Sequence, residues 1–269
     1  MPPNTSTKAE GASVIIRPFR YGDDAKVQKI LDQAAMSTAW PMFIAFAKRE
    51  VTSQIILMLA AILFIVVGLQ LMSSLLSIPI VLLSLALTIL VGHRVKIALT
   101  HQDLNDVSKS YQSHPRSGFW VAEVVDSKAL LSSTDHRATI AIDLQSSHPQ
   151  NCSREIIGTI AVTIKRDPDL REPPESVAWL RRMAVSPQYR RKGVGLALTD
   201  VALDHCAKAN FRAVELLTTE FHQAARSLYA SKGFELIGST RKSFLGGLLG
   251  FSLYRLRVSC TLSRQNLNA

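Results

Sequence analysis

Between residues 180 and 198 three consecutive cations, Arg190, Arg191 and Lys192, run directly into Gly193, Val194, Gly195 and Leu196. An apolar run ending at Val185 predicts a strand, and Ser186 with Pro187 ends it. The small and aliphatic residues from Gly195 onward have helical spacing. Strand, basic loop and helix start together suit an anion. Glycines let backbone N–H groups approach it without a Cβ in the way, and the helix points its positive end at the same spot. Ordinary turns also use glycine pairs, so the loop alone leaves both readings open. It lacks the Gly-Lys-Ser/Thr ending that a nucleotide P-loop needs.

Two arginines, Arg181 and Arg182, lie on the strand that feeds this loop. A guanidinium pairs with a carboxylate through two parallel hydrogen bonds, so one of them is a candidate for holding an acidic substrate. Charge on the edge of a sheet is the competing explanation. No general base is assigned; Glu175, Glu220 and His222 are the nearby titratable residues.

The elements around the loop alternate in type. A strand over 14–19 and a helix over 23–35, with Asp23 or Asp24 as cap, open a domain. Further strands are expected at 117–125, 156–164, 176–185 and 213–219, with helices at 195–210 and 223–232. A final strand pair starts at 234–238 and is completed at 251–258. Residues 126–155, rich in Ser, His and Asp, read as a variable hairpin loop in which only 138–144 has strand character. Residues 166–174 read as an exposed loop, and an amphipathic helix is expected over 97–113.

Residues 51–92, a block of 42, hold no Lys, Arg, Asp, Glu or His. As one helix the block would be about 63 Å long, roughly two crossings of a hydrocarbon core ~30 Å thick. Gln70, Ser73, Ser74, Ser77 and Pro79 cluster midway and mark a turn between spans near 55–72 and 78–91. Lys48 and Arg49 precede the block and Arg94 and Lys96 follow it, so the positive-inside rule puts both flanks in the cytosol on a two-span or re-entrant hairpin. A buried hairpin of a soluble protein is the alternative. The segment 243–251, apolar and glycine-rich, either dips into a membrane, lines an acceptor channel or forms a buried turn.

The hydrophobic fraction of 47% is thus unevenly spread, and the net charge of +10 concentrates beside the apolar block and in the glycine loop. No nucleic-acid motif accompanies it, so a membrane surface and an anionic cofactor account for the charge. Cys152, Cys206 and Cys260 are too scattered for a disulfide framework or a metal site, and His101 and His114 lack metal-ligand spacing, so no metal is expected.

Arg190-x-x-Gly193-x-Gly195, entered from a strand and leaving into a helix, resembles the acetyl-CoA signature of the GCN5-related N-acetyltransferases (GNAT). His222-x-x-Ala225-x-x-Leu228-Tyr229-x-x-x-Gly233-Phe234 resembles the closing helix of that fold, with His222 where the family usually has Asn. An apolar hairpin interrupting the domain, followed by 103–111 and 119–123, is similar to the camello-like branch, membrane-anchored enzymes of the endoplasmic reticulum acting on cysteine-S-conjugates or aspartate. The resemblance covers nearly all of 14–258.

It implies an α+β GNAT fold, a mixed central sheet flanked by helices and interrupted by a membrane hairpin. The implied organisation is a disordered tail (1–13), the first strand and helix of the domain (14–50), the hairpin (51–92), the main part of the domain (93–258) and a C-terminal tail (259–269). It further implies acetyl-CoA as co-substrate, held by Val185, Arg190, Arg191, Lys192, Gly193, Val194, Gly195 and Leu196. The Val185 N–H, or that of a close neighbour on a splayed strand, would face the carbonyl oxygen. Tyr229 would be the acid, since a phenol of pKa about 10 can protonate a departing thiolate of similar basicity; packing on an apolar helix face is its alternative role. The expected function is acetyl transfer to the amine of an amino acid or its conjugate. A protein lysine acetyltransferase and an inactive acyl-CoA-binding membrane protein are the alternatives.

Overall fold

A computed structural model describes residues 13–100, 107, 110–111, 113–125, 139–142, 154–165, 173, 175–244 and 249–260. The chain divides into two units. The first comprises Met1–Leu31, Leu104–Leu216 and Arg257–Ala269, and the second Asp32–Asp103 and Leu217–Leu256. Residues 1–12 and 261–269 of the expected tails, 126–138 and 143–153 (with Cys152), 166–172 and 174 of the expected loop, His101 and most of the expected helix 97–113 lie outside the described residues.

In the first unit the strands are β1 (Ser13–Pro18), β2 (Gly118–Val125), β3 (Thr139–Ile142), β4 (Arg154–Ile164), β5 (Val177–Val185) and the start of β6 (Ala213–Thr219), ordered β3-β1-β2-β4-β5-β6. Neighbours β1/β2, β2/β4 and β4/β5 are antiparallel, whereas β1/β3 and β5/β6 are parallel, so the sheet is mixed. The middle of β4, residues 156–162, is buried without alternation, as expected of a strand covered on both faces. Helix α6 (Val194–Lys208, numbered after the second unit's α2 to α5) packs Leu198, Ala202 and Cys206 inward. A Cβ on Gly158 of β4 would stand 2.9 Å from Leu198 Cδ1 and 3.2 Å from the Ala184 carbonyl, so glycine lets the helix sit close to the sheet.

The strand character expected of 138–144 is present at Thr139–Ile142. This is β3, which crosses to pair in parallel with β1, Val14 opposite Ile140. Nothing in its local composition specifies that partner; an exposed edge on β1 does. Helix α1 (Asp24–Met36) starts where expected, but the Asp23 carboxylate accepts from Arg17 (2.7 Å) and from the Arg20 N–H (2.9 Å). Arg17 also reaches Glu123 at 3.0 Å, which ties β1 to β2 and to the helix start.

In the second unit α2 (Ala39–Ala47), α3 (Glu50–Ile65), α4 (Leu71–Ser74) and α5 (Ser77–Thr100) are followed by the end of β6, α7 (Gln223–Ser231), β7 (Glu235–Phe244) and β8 (Leu249–Ser259). Phe46, Leu85 and Ile89 form a small core, with Met42, Phe43 and Phe221 against it. The expected hairpin is present as α3 and α5, with different arm lengths. The first arm ends at Ile65, three residues before Gly68 at φ +74°. The second runs on through Arg94 and Lys96, because propagating a helix is easier than starting another and His93 is satisfied within it, its Nδ1 donating to the Ile89 carbonyl at 2.9 Å. Leu57, Ile65, Leu83, Leu87 and Val91 are all exposed. Residues Leu71–Ala98 are long and apolar enough to cross a membrane, and 17% of their most apolar window is buried; α3 is a shorter apolar helix. In the segment 243–251, β7 ends at Phe244 and β8 begins at Leu249; 245–248 lie outside the described residues.

Candidate functional site

Strand β5 carries a bulge. Arg181 pairs with Ala161 and Ala184 with Thr159, so Arg182 and Met183 together oppose a single β4 residue. Arg182 has φ +54°, a left-handed conformation that costs a non-glycine residue about 1–2 kcal/mol. Two clamps hold it. Thr159 Oγ1 donates to the Arg182 carbonyl at 2.7 Å, and Arg182 Nε donates to the Tyr111 hydroxyl at 3.1 Å. Tyr111 is buried with its ring against the edge of Phe119. Arg181, by contrast, is exposed.

The pairing resumes after the bulge, and the Ser186 N–H donates to the Ile157 carbonyl at 2.8 Å. Antiparallel neighbours alternate between bonded and non-bonded pairs, so Val185, opposite Gly158, turns its N–H and C=O away from β4. On that side the β5–β6 register extends only from Val177/Ala213 to Trp179/Glu215. The N–H of Val185 therefore faces the side on which β5 has lost its partner strand.

The loop that follows is fastened at both ends. Tyr189, in the 3-10 turn Pro187–Tyr189, donates from its buried hydroxyl to Glu155 at 2.9 Å. Arg190 Nε donates to the Val185 carbonyl at 3.1 Å, which braces the start of the loop. Arg191 at φ +68° and Gly193 at φ +84° then turn the chain into α6. Gly193 is the N-cap, with no side-chain cap bond, and its carbonyl accepts from the Ala197 N–H at 3.1 Å. The N–H groups of Gly193, Val194, Gly195 and Leu196 consequently have no intrahelical acceptor. These four donors at a helix N-terminus lie beside exposed Arg191 and half-buried Lys192, an arrangement that favours negative charge.

The first unit thus brings together Arg181, Arg182, Val185 and 190–196. Tyr229 belongs to the second unit. It lies on α7, 5% exposed, and burial pushes its phenol well above the ordinary tyrosine range. The Phe234 N–H donates to the Tyr229 carbonyl and the Gly233 N–H to that of Ala230, each at 3.0 Å, with Gly233 at φ +80°. This is a Schellman ending, completed by the contact of the Tyr229 and Phe234 rings, whose centroids are 5.4 Å apart. The motif Tyr229-x-x-x-Gly233-Phe234 therefore has a structural reason of its own. His222, at the Asn position, is the N-cap residue of α7 but makes no side-chain cap bond; its Nδ1 lies 2.6 Å from Thr219 Oγ1.

Sequence reasoning missed Glu215. A single carboxylate in an apolar strand was its only signal. It is fully buried between Lys165 (2.9 Å) and Arg257 (3.2 Å), which gives it an anchoring role. Burial likewise raises the Cys206 thiol far above its usual range, which makes it an inert packing residue.

The mixed sheet, the splayed strand and the glycine-capped helix define an acetyltransferase fold, and residues 134–234 match the model of the acetyltransferase (GNAT) family. The chain carries a GNAT acetyltransferase domain. It is 30% identical over 153 residues to N-acetyltransferase 8 of Mus musculus, covering 57% of this chain and 54% of that one. It is 26% identical over 264 residues to N-acetylaspartate synthetase of Danio rerio, covering 94% and 78%. The matched stretch is thus only a little over half the length of the mouse relative. An acetyltransferase of the GNAT family from Staphylococcus aureus Mu50 superposes with a TM-score of 0.47 at 13% identity, covering 92% of this chain and 99% of that one.

Proposed function

We propose that the protein is an acetyl-CoA-dependent N-acetyltransferase, anchored in a membrane, that acetylates the amine of an amino acid or amino-acid conjugate. The observation that carries the proposal is the joining of two parts in one short segment. Val185 turns its N–H away from β4, and eight residues later Gly193 opens a helix whose first four N–H groups have no intrahelical acceptor. The GNAT domain and the N-acetyltransferase names of the relatives support the same chemistry.

Bound acetyl-CoA supplies an activated acetyl thioester. The N–H groups of 193–196 hold its pyrophosphate, Arg191 and Lys192 add charge there, and Arg190 braces the loop. The Val185 N–H donates to the acetyl carbonyl oxygen, where negative charge grows as the amine attacks. Tyr229 gives its proton to the departing sulfur and regains one as the acetylated amine loses its own; burial raises its phenol, which makes it a weaker acid than one of pKa about 10. Arg182, with Arg181 beside it, meets an acceptor carboxylate.

The exposed apolar arms of α3 and α5 support the membrane anchor, with both basic flanks, Lys48/Arg49 and Arg94/Lys96, on the cytosolic side. The endoplasmic reticulum is the proposed location, by resemblance to the camello-like branch. The test is release of free CoA from acetyl-CoA by the full chain in detergent, across a panel of amino acids, conjugates and lysine peptides. Turnover with amino acids, abolished in Gly193→Glu, supports the reading. Turnover with lysine peptides alone, or tight CoA binding without release, overturns it.

A further inference from the structure

We infer that Arg226 binds the α-carboxylate of the amino-acid acceptor, with the ring of Tyr254 as the flat support that sets the plane of its guanidinium. The inference rests on the proposed acetylation of amino acids with Tyr229 as the acid.

Arg226 lies on α7, three residues before Tyr229 and four after His222. Residues three and four apart share one face of a helix, with Cβ atoms about 5–6 Å apart, so the arginine starts one turn from the phenol. The side chain is half-buried, and it lacks the company that other arginines of the chain keep. Arg17 is paired with Asp23 and Glu123, and Arg257 with Glu215. Among the described residues no carboxylate pairs with Arg226 and no acceptor meets its Nη1. Its Nη2 donates to the Glu220 carbonyl at 3.5 Å, longer than the usual N–H···O bond of about 2.7–3.2 Å. Its Nε is buried without a hydrogen-bond partner. Its Cζ stands 4.9 Å from the centroid of the Tyr254 ring on β8.

A buried donor without a partner costs free energy, more so when it belongs to a charged group. The aromatic face attracts the cation but supplies no acceptor in the guanidinium plane. Packing therefore holds the charge in place while the protein leaves it uncompensated. With Nε closed off, a carboxylate meets the Nη1 and Nη2 end, through two parallel hydrogen bonds in that plane. Tyr254 fixes the plane from a strand. Two residues before it, the Ser252 carbonyl accepts from the Glu220 N–H at 3.1 Å, which ties β8 to the chain just ahead of α7. A group oriented beforehand loses less freedom on binding.

The acceptor's own chemistry selects the ligand. In an amino acid a single carbon separates the carboxylate from the amine. A cation one helical turn from the group that protonates the departing sulfur matches an anion so close to the reacting nitrogen. A lysine side chain in a peptide carries no such anion, so Arg226 favours free amino acids over peptides.

The test measures KM and kcat for the parent, Arg226→Gln and Arg226→Lys in the full chain in detergent. Aspartate, glutamate and S-benzyl-cysteine are each set against their own α-carboxamide. For Arg226→Gln the ratio of the KM for the free acid to the KM for the amide rises about ten- to hundredfold, the loss of a charge-assisted pair, while kcat for the acids moves little. Arg226→Lys keeps the charge without the fork, so its ratio falls between, and it carries the comparison should Arg226→Gln not fold. A rise shared equally by acids and amides makes Arg226 a packing residue and overturns the inference, as does a ratio that stays at the parent's value. A rise confined to the KM for acetyl-CoA makes the ligand a cofactor phosphate and overturns it as well. Each of these results leaves the acetylation of amino acids standing. If the parent acetylates no amino acid, that reading fails and the carboxylate role fails with it.

Discussion

Replacing Gly193 with alanine separates the anion cradle from the fold around it, provided that Gly195→Ala is measured beside it. Gly193 has φ +84° and ψ −11° at the cap of α6, where a Cβ costs about 1–2 kcal/mol. In a chain of this size that lowers Tm by roughly 2–8 °C. Gly195 is the second residue of the helix and is not among the glycines at positive φ. Alanine there gains up to about 1 kcal/mol of helix propensity, so the two substitutions move Tm in opposite directions. Binding follows a different rule. If Gly193→Ala relaxes toward negative φ, the N–H groups that face the phosphate swing away, and losing one charge-assisted hydrogen bond of about 1.5–3 kcal/mol weakens acetyl-CoA about 10- to 100-fold. Calorimetric titration with acetyl-CoA, together with thermal unfolding, reads both quantities on one preparation. A folded Gly193→Ala protein that binds acetyl-CoA as tightly as the parent refutes the cradle. A Gly195→Ala protein that melts lower refutes the account of the local backbone.

Glu215→Gln leaves Lys165 and Arg257 without their shared carboxylate in a dry site, and urea unfolding is expected to show a loss of roughly 3–5 kcal/mol; a loss under 1 kcal/mol would mean that water reaches the site. Gly158→Ala forces Leu198 and the Ala184 carbonyl away from a new methyl group and is expected to cost about 1–3 kcal/mol by overpacking, with a weaker KM for acetyl-CoA because α6 carries the cradle. The Tyr229 phenol is raised by burial, so the unfolded chain loses this proton first as pH climbs past about 10. Its contribution to stability is whole below that pH and declines above it. Tyr229→Phe should therefore flatten the fall in the urea midpoint between pH 9 and 11; an identical slope in both proteins would contradict the burial. The same variant, if it retains full turnover at neutral pH, removes Tyr229 from catalysis.

Much of the fold was open to reading because local chemistry decides it. Ser186 and Pro187 had to end a strand, Gly233 had to end a helix, and 42 residues without a charge had to form an apolar hairpin. The cradle belongs to the same class, since its donors are consecutive backbone groups. The partner of β3 was hidden, because strand pairing is settled by which edge is left open elsewhere. Arg190 looked like loose charge until its reach back to Val185 was visible.

By itself, then, the sequence determined the order of elements, the glycine-capped helix start, the apolar helices and the Tyr229-Gly233-Phe234 helix ending, all products of interactions spanning a few residues. The tertiary structure decided the rest. The bulge at Arg182 exists only as a mismatch between β4 and β5, the open side of Val185 only as a register that ends at Trp179, and the bond from Arg182 to Tyr111 only as a contact between residues 71 apart in the chain. Those features depend on register and on contacts between residues far apart in the chain. No window of sequence contains them.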